Sequence, residues 1–281
     1  MTRSVVVTGA NSGIGLATAL ELAGAGYDVI GTARSAEKAQ ILLDAAAERG
    51  VTVRTALLDV GDAESCAKAI AEIESTTEIW GLVNNAGFAQ AGSVEDVDDE
   101  AVRYQLEVNL VAPARLARLA LPGMRARGEG RIVNVSSVAG RMSMPLMAWY
   151  CASKHGLEAM TDALRMEVAP YGVTVALVEP GSFGTGIWEG AAYPDDAATD
   201  LYAAAYERAQ KATVTGSRIM PDPVWVARTV RLALSSPVPL ARYLVGADAV
   251  GGVLAERLVP TAVTDVVKGV LAGVRKLPFS R

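Results

Sequence analysis

The chain alternates short runs of Val and Ile with longer stretches rich in Ala, Leu, Glu and Arg, and no other feature constrains its fold as strongly. This alternation is typical of parallel strands joined by crossover helices. Hydrophobic residues make up 51% of the 281 residues and aromatic residues only 5%, a balance that suits strands buried under helices on both faces. We therefore predict an α/β fold in which one domain, residues 1–281, contains a doubly wound parallel sheet of about seven strands.

The rhythm gives approximate bounds for the strands and for the clearest helices. Strands are predicted near Ser4–Thr8, Asp28–Ala33, Val51–Leu57, Ile79–Asn84, Arg131–Ser136, Thr174–Glu179 and Tyr243–Gly246. Helices are predicted near Ile14–Ala25, Ala63–Ser75, Ala101–Arg127, Tyr150–Ala169 and Pro223–Leu234. Several glycine-rich or polar segments then follow strands directly, at the edge where α/β sheets bind ligands.

Two segments depart from this rhythm. Residues 182–220 form an excursion before the last of these helices, either a loop over a substrate or a plain surface segment. Residues 247–281 form a C-terminal extension whose apolar run is interrupted by charged residues, so no transmembrane span is expected there. We expect the extension to pack on protein, with peripheral contact to a membrane surface as the alternative.

Charge and cysteine content exclude several classes of function. The formal net charge is −5 and no basic tract is present, so no nucleic-acid partner is expected. Cys66 and Cys151 are far apart and lack metal-ligand spacing, so we expect neither a metal site nor a disulfide framework. The first residues lack the long apolar run of a signal peptide, and we expect a cytoplasmic protein.

A glycine-rich loop joins the first predicted strand to the first predicted helix. Its sequence is Thr8-Gly9-Ala10-Asn11-Ser12-Gly13-Ile14-Gly15. Glycines let the backbone turn sharply and approach a diphosphate, and the following helix offers free N–H groups and the positive end of its dipole. The loop therefore predicts a dinucleotide site, because it stands between a strand and a helix.

The end of the second strand indicates which dinucleotide is bound. An acidic residue at this place binds both ribose hydroxyls of NAD and repels the 2′-phosphate of NADP. Here the residue is Ala33, and Arg34 follows it. A guanidinium can form paired hydrogen bonds with phosphate, so the sequence predicts NADP(H).

A tyrosine and a lysine form the strongest candidate for a catalytic group. Tyr150 and Lys154 are four residues apart, which puts both side chains on one face of a helix. A nearby cation favours the phenolate, so we expect Lys154 to lower the pKa of Tyr150 from its usual value of about 10. Ser137 lies thirteen residues before Tyr150, just past a strand, and its neighbour Ser136 is the alternative hydroxyl.

Taken in order, these motifs resemble the classical short-chain dehydrogenase/reductase (SDR) family, and their pattern is most similar to its 17β-hydroxysteroid and retinol dehydrogenase type. The loop has the family's T-G-x-x-x-G-x-G form, and Asn84-Asn85-Ala86-Gly87 follows the fourth strand as in that family. The resemblance implies a Rossmann-type domain and an NADP(H)-dependent oxidoreductase that interconverts an alcohol and a carbonyl. The catalytic residues that it implies are Asn109, Ser137, Tyr150 and Lys154.

Each of these residues has a role implied by the family. Tyr150 exchanges the proton, Ser137 orients the substrate oxygen and Lys154 holds the nicotinamide ribose. Asn109 supports a water path to the lysine. The cofactor contacts implied are Gly9, Asn11, Ser12, Gly13, Ile14, Gly15, Arg34, Asp59, Val60, Asn85, Ala86, Gly87, Tyr150, Lys154, Pro180, Gly181, Phe183 and Thr185.

The segment between Ser137 and Tyr150 often lines the substrate pocket in this family. Met142, Met144, Met147 and Trp149 would give it an adaptable apolar wall, and Trp188 would add to it from the excursion. This composition favours a small lipophilic substrate of steroid, retinoid or fatty type. Ordinary core or dimer packing of the same side chains stays open.

Two other functions and the oligomeric state stay open from the sequence. A 3-oxoacyl-thioester reductase would share the same core and catalytic group. An NADP-binding sensor is the non-enzymatic alternative, although such proteins commonly lose the tyrosine or the lysine. The resemblance also implies a homo-dimer or homo-tetramer that associates through the two long helices near 101–127 and 150–169.

Overall fold

Seven parallel strands form a single sheet in the computed structural model, which describes residues 2–185, 200–216 and 220–275. The strands are β1 (Ser4–Val7), β2 (Asp28–Ala33), β3 (Arg54–Leu57), β4 (Ile79–Asn84), β5 (Gly130–Val135), β6 (Val173–Pro180) and β7 (Arg242–Val245). Their order across the sheet is β3-β2-β1-β4-β5-β6-β7, and every neighbouring pair is parallel. The predicted doubly wound sheet is confirmed, and its order reverses between β1 and β4.

Helices cover both faces of this sheet. They are α1 (Gly13–Gly24), α2 (Ala36–Glu48), α3 (Ala63–Glu74), α4 (Asp99–Leu106), α5 (Ala112–Arg127), α6 (Ala148–Val168), α7 (Ala203–Gly216), α8 (Val224–Ser235), α9 (Ala247–Leu258) and α10 (Thr261–Leu271). Successive side chains of a strand point to opposite faces, so the side chains of β1 pack in two separate cores. Val5 and Val7 pack in one core with residues of α1 and α8, and Val6 packs in the other with residues of α3 and α5.

The helix predicted over 101–127 is interrupted. A π-helical turn, Glu107–Val111, separates α4 from α5. Pro113 stands in the first turn of α5 and has no N–H to donate to the carbonyl of Asn109, one turn earlier. A widened turn accommodates this loss, and such turns often occur at functional sites.

The C-terminal extension folds into two helices. Its apolar run is broken where Pro260 precedes α10. Leu254 on α9 and Val267 on α10 are each about half exposed, which shows that part of the apolar surface faces outward. No helix within the described ranges is long and apolar enough to cross a membrane.

The excursion is described only in part, since residues 186–199 and 217–219 lie outside the described ranges. Its helix α7 packs against the segment that precedes α6: Ala205 and Tyr206 form a buried cluster with Leu146. The Tyr206 hydroxyl accepts a hydrogen bond from the backbone N–H of Ser93 at 2.8 Å. The excursion therefore packs on the segment that contains Leu146 and on the loop that contains Ser93.

Candidate active site

A cleft of about 510 Å³ opens at the carboxyl ends of the central strands. It lies where the strand order reverses, the place at which doubly wound sheets bind ligands. The predicted residues that line it are Gly9, Asn11, Ser12, Gly13, Ile14, Arg34, Asp59, Val60, Asn85, Ala86, Gly87, Ser137, Tyr150, Lys154, Pro180, Gly181, Phe183 and Thr185. The other two predicted residues, Gly15 and Asn109, do not line the cleft.

The glycine loop has no room for side chains at its sharpest points. Gly9 has φ +64°, a conformation that L residues with a side chain rarely adopt. A Cβ at Gly15 would lie 2.1 Å from the carbonyl oxygen of Gly9, so only glycine lets the start of α1 approach the loop this closely. Ser12 precedes α1 without a hydrogen bond from its side chain to the first turn, so the first N–H groups remain for a ligand.

Thr8 fastens this loop to the segment that follows β4. Its hydroxyl oxygen accepts hydrogen bonds from the backbone N–H groups of Asn85 and Ala86, each at 2.9 Å. The Asn85 amide donates in turn to the Thr8 carbonyl at 2.9 Å. The two walls of the cleft are thus held together by residues of the loops themselves, and this geometry fits a bound dinucleotide.

The end of β2 supplies positive charge without a carboxylate. Ala33 is buried, Arg34 is exposed, and both line the cleft together with Lys38 in the first turn of α2. Among the contacts of the described residues, Arg34 has no ion pair or hydrogen-bond partner. Its guanidinium is therefore available to an anion in the cleft.

Tyr150, Lys154 and Ser137 converge on the floor of the cleft. Tyr150 and Lys154 lie on α6, and the Lys154 Nζ is 5.9 Å from the centre of the Tyr150 ring. Lys154 donates a hydrogen bond to the Val135 carbonyl at 3.0 Å, which ties it to the end of β5. A hydrogen bond joins the Ser137 hydroxyl to the Tyr150 phenol. Ser136 also lines the cleft, but its buried hydroxyl has no hydrogen-bond partner within the described part of the chain.

Burial dominates the protonation of this group. It raises the pKa of Tyr150 to about 12, and the hydrogen bond from Ser137 opposes that rise. Burial also lowers the pKa of Lys154 to about 8, and the negative charge of Glu158 opposes that fall. The predicted lowering of the Tyr150 pKa is therefore not found in this structure, because the loss of hydration outweighs the hydrogen bond from Ser137.

Asn109 lies in the π-helical turn and braces the wall of the cleft. Its side-chain amide donates to the Phe88 carbonyl at 2.9 Å and to the Ser153 hydroxyl at 3.1 Å. Its side-chain oxygen accepts from the Phe88 N–H at 3.2 Å. The side chain thus holds the loop after β4 against α6, and no described contact brings it to Lys154.

The segment predicted to line the substrate pocket lies beside this cleft. None of Met142, Met144, Met147 and Trp149 lines the 510 Å³ cleft. Met147 and Met144 pack instead in an apolar cluster with Tyr150. Met144 also lines a second cavity, of about 470 Å³, between this segment and α10. Trp188 falls outside the described residues.

Backbone strain marks the same segment. Leu146, a bulky residue, has φ +64°, and its carbonyl accepts a hydrogen bond from the N–H of Gly92 at 2.8 Å. Strain of this kind collects at functional sites. The hydrogen bond to Gly92 holds the backbone four residues ahead of Tyr150.

Aromatic side chains of the cleft were missed in the sequence. Phe88 and Tyr104 line it with their ring centres 5.3 Å apart. Tyr104 comes from α4 and Phe88 from the loop after β4, so only the tertiary fold brings them together. No sequence motif marks either residue.

Comparison with known proteins identifies the family of this chain. A family model described as short chain dehydrogenase matches residues 3–194, which include the glycine loop and the Tyr150 helix. The chain belongs to the short-chain dehydrogenase family. It is therefore an oxidoreductase of that family.

Individual SDR proteins extend the similarity to the whole chain. An NADPH-dependent 3-dehydrocapnine reductase of Ornithobacterium rhinotracheale is 34% identical over 271 residues, covering 94% of this chain and 95% of that protein. The oxidoreductase YusZ of Bacillus subtilis is 40% identical over 185 residues, covering 65% of this chain and 66% of YusZ. A short-chain dehydrogenase from Streptomyces avermitilis has a crystal structure that matches with a TM-score of 0.81 at 34% identity, covering 98% of each chain.

Within the described ranges, no group of three or more His, Cys, Asp and Glu side chains is placed to hold a metal ion. The polarising groups at the floor of the cleft are the hydroxyl of Ser137, the phenol of Tyr150 and the ammonium of Lys154.

Proposed function

We propose that this SDR enzyme interconverts an alcohol and a ketone or aldehyde with NADP(H), and that Tyr150 acts as its general acid and base. The observation that carries the proposal is the convergence of Tyr150, Ser137 and Lys154 on the floor of a cleft whose glycine loop fits a diphosphate. The nicotinamide, when bound, supplies or accepts the hydride. The protein's own side chains handle the oxygen and its proton.

In the reducing direction, the carbonyl oxygen gains negative charge as the hydride arrives at carbon. Ser137 donates a hydrogen bond that holds this oxygen, and the Tyr150 phenol gives it a proton. Lys154, as an ammonium, stabilises the tyrosinate that remains. In the oxidising direction the tyrosinate takes the proton of the alcohol, so the same residues serve both directions.

The preference for NADP(H) rests on the end of β2. Arg34 would pair with the 2′-phosphate of the adenosine ribose, and Ala33 places no carboxylate where it would repel that phosphate. Lys38 adds a second positive charge on the same side of the cleft. The printed name of the Ornithobacterium relative, an NADPH-dependent reductase, supports the same choice.

A lipophilic substrate is favoured by the surroundings of Tyr150. The Tyr150 side chain packs in an apolar cluster that contains Ala89, Ala91 and Met147, with Met144 packed against it. The excursion adds Tyr202 and Tyr206 to the neighbouring cluster around Leu146. A small polar substrate would lose hydration in these surroundings without gaining hydrogen bonds.

The proposal is tested by turnover with a panel of carbonyl compounds. The panel contains steroids, retinoids, aliphatic ketones and acyl thioesters, and NADPH oxidation is followed by absorbance with the wild type and Tyr150→Phe. Tyr171→Phe is the matched control, because Tyr171 is exposed on the turn after α6. We expect turnover that Tyr150→Phe lowers about 100-fold or more and Tyr171→Phe leaves unchanged. Equal turnover by the Tyr150 variant would overturn the assignment of the acid.

A further inference from the structure

Two glutamates lie buried beneath the catalytic helix, outside the cleft. Glu158 on α6 is 5% exposed and Glu179 on β6 is 0% exposed. The Arg242 Nε lies within about hydrogen-bond distance of an oxygen of each glutamate, so the two carboxyl groups are neighbours. Two neighbouring carboxyl groups can hydrogen-bond to each other only if one of them is protonated, because an ionised carboxyl has no hydrogen to donate. Burial beside each other therefore favours one proton and one negative charge for the pair.

Two arginines hold this remaining charge. The Arg242 Nε of β7 lies 3.0 Å from a Glu158 oxygen and 3.2 Å from a Glu179 oxygen. The Arg141 Nη1 lies 3.3 Å from the same Glu179 oxygen. The other oxygen of each glutamate is buried and receives no hydrogen bond from any other described group. A proton shared between the two acids supplies the donor that is otherwise missing.

Below about pH 7 the two acids are not ionised together at this depth. Burial and the charge of Glu158 raise the pKa of Glu179 to about 7, and the two arginines oppose the rise. The remaining charged groups around the pair are Lys154 and Asp162 on α6, and Asp162 is bonded to Arg242 and to Arg165. Among the described residues, these are the charged side chains that bond to or act on Glu158 and Glu179 from α6, β6, β7 and the segment after β5.

The pair is connected to the active site in two ways. Glu158 lies one helical turn after Lys154, and its charge raises the pKa of that lysine against the effect of burial. Ser136 makes the second connection. A Cβ at Gly140 would lie 2.9 Å from the Ser136 hydroxyl oxygen and 3.2 Å from a Glu158 oxygen, so these two polar atoms flank the same backbone position. Ser136 in turn lines the cleft.

We propose that Glu158 and Glu179 form a positioning pair for Lys154: the pair holds one proton, and its single negative charge keeps the Lys154 ammonium protonated while the site works. Neither acid lines the cleft or reaches the substrate, so each acts through Lys154. The inference rests on the proposed function, since that function assigns the charged lysine its role beside Tyr150.

The shared proton can be observed without any turnover. Infrared spectra of the full-length protein, recorded without cofactor during a titration across neutral pH, report the carbonyl stretch of a buried protonated carboxyl group. We expect one such band that disappears as pH rises through about 7. It should be absent in Glu179→Gln and retained in Asp162→Asn, the matched control that removes another carboxylate bonded to Arg242. A missing band, or one unchanged in Glu179→Gln, would overturn the shared proton.

The effect on Lys154 is measured by the pH profile of kcat/KM for carbonyl reduction. The upper limb of this profile is the fall of kcat/KM at high pH. In Glu158→Gln this limb should move to lower pH by about one unit, because an opposite charge near the Lys154 ammonium is lost. The glutamine keeps an oxygen for Arg242, and the melting temperature of each variant checks that it folds. Glu179→Gln and Asp162→Asn should not move the limb down.

The two proposals fail in different ways. An unmoved limb in a folded, active Glu158→Gln variant would refute the positioning role and leave the enzyme assignment standing. Wild-type protein that turns over no carbonyl would instead count against the proposed function. In that case the affinity for NADPH is measured against pH instead. If the fall of this affinity at high pH does not move to lower pH in Glu158→Gln, the positioning role of the pair is also refuted.

Discussion

At the scale of single residues, the chemistry of this site depends on burial as much as on residue type. The spacing of Tyr150 and Lys154 in the sequence was enough to predict that the two side chains share a helix face. The sequence could not show how completely both would be removed from water. This burial raises the pKa of Tyr150 to about 12 and lowers the pKa of Lys154 to about 8, so two groups with similar ordinary pKa values are driven apart.

The pH dependence of reduction follows from Lys154. Its pKa is lowered to about 8, so the ammonium is present below that pH and is lost as pH rises through it. Reduction needs the charged form to stabilise the tyrosinate, and kcat/KM for a carbonyl substrate should therefore fall above about pH 8. A profile that stays flat up to about pH 10 would show that this ionisation does not control the reaction.

Arg34 should determine the preference between the two nicotinamide cofactors. Removing its charge in Arg34→Gln should weaken NADPH binding about 10-fold or more, since a charge-assisted pair with phosphate is lost, and leave NADH binding nearly unchanged. Fluorescence titration with both cofactors measures this. Arg118→Gln, on an exposed position of α5, is the control. A parallel loss for both cofactors would place Arg34 elsewhere than at the 2′-phosphate.

At the scale of elements, the sequence was informative wherever one motif and its neighbours along the chain define the structure. The glycine loop, the end of β2 and the start of α6 are of this kind, and their residues line one cleft. The π-helical turn at Glu107–Val111 is of the other kind. It depends on Pro113 and on the contacts of Asn109 with a loop some twenty residues earlier, which the helical pattern over 101–127 concealed.

The close approach of α1 to the glycine loop is open to a direct test. Gly15→Ala would force a Cβ against the Gly9 carbonyl, so we expect NADPH affinity to fall about 10-fold or more and the protein to lose about 1–3 kcal/mol of stability. Gly24→Ala lies in the same helix with nothing within 4 Å of its new Cβ. It should leave cofactor binding unchanged and stabilise the helix slightly. Equal behaviour of the two variants in titration and thermal unfolding would contradict this description.

At the scale of the whole molecule, the sheet was predictable and the contacts between distant segments were not. Alternating strand and helix patterns with one largely apolar buried sheet allow few architectures, and the doubly wound order is one of them. The bond between Tyr206 and Ser93, by contrast, joins residues 113 positions apart, and Arg242 reaches Glu158 across 84 positions. Patterns along the chain carry no information about such pairs, so the cover of the site and the buried acid pair emerged only from the structure.

The buried acid pair joins α6, β6 and β7, so its protonation should contribute to global stability. The pKa of Glu179 rises from 4.5 to about 7 on folding, so its contribution to stability is present below about pH 4.5 and is lost as pH rises through about 7. The difference in unfolding free energy between wild type and Glu179→Gln should therefore favour the wild type more at about pH 5.5 than at about pH 8. Denaturant titrations at both pH values measure it, and an equal difference would show that Glu179 titrates alike in both states.

Hydride transfer between NADP(H) and a carbonyl in the cleft that Tyr150 lines can be tested by following the hydrogen itself. NADPH labelled with deuterium at C4 of the nicotinamide, on each face in turn, is incubated with the enzyme and a carbonyl substrate from the panel, and the alcohol is analysed by mass spectrometry. We expect one deuterium on the carbinol carbon from one labelled face only, with the transfer lost in Tyr150→Phe. Alcohol formed without deuterium from either face, or equal transfer by the variant, would contradict it.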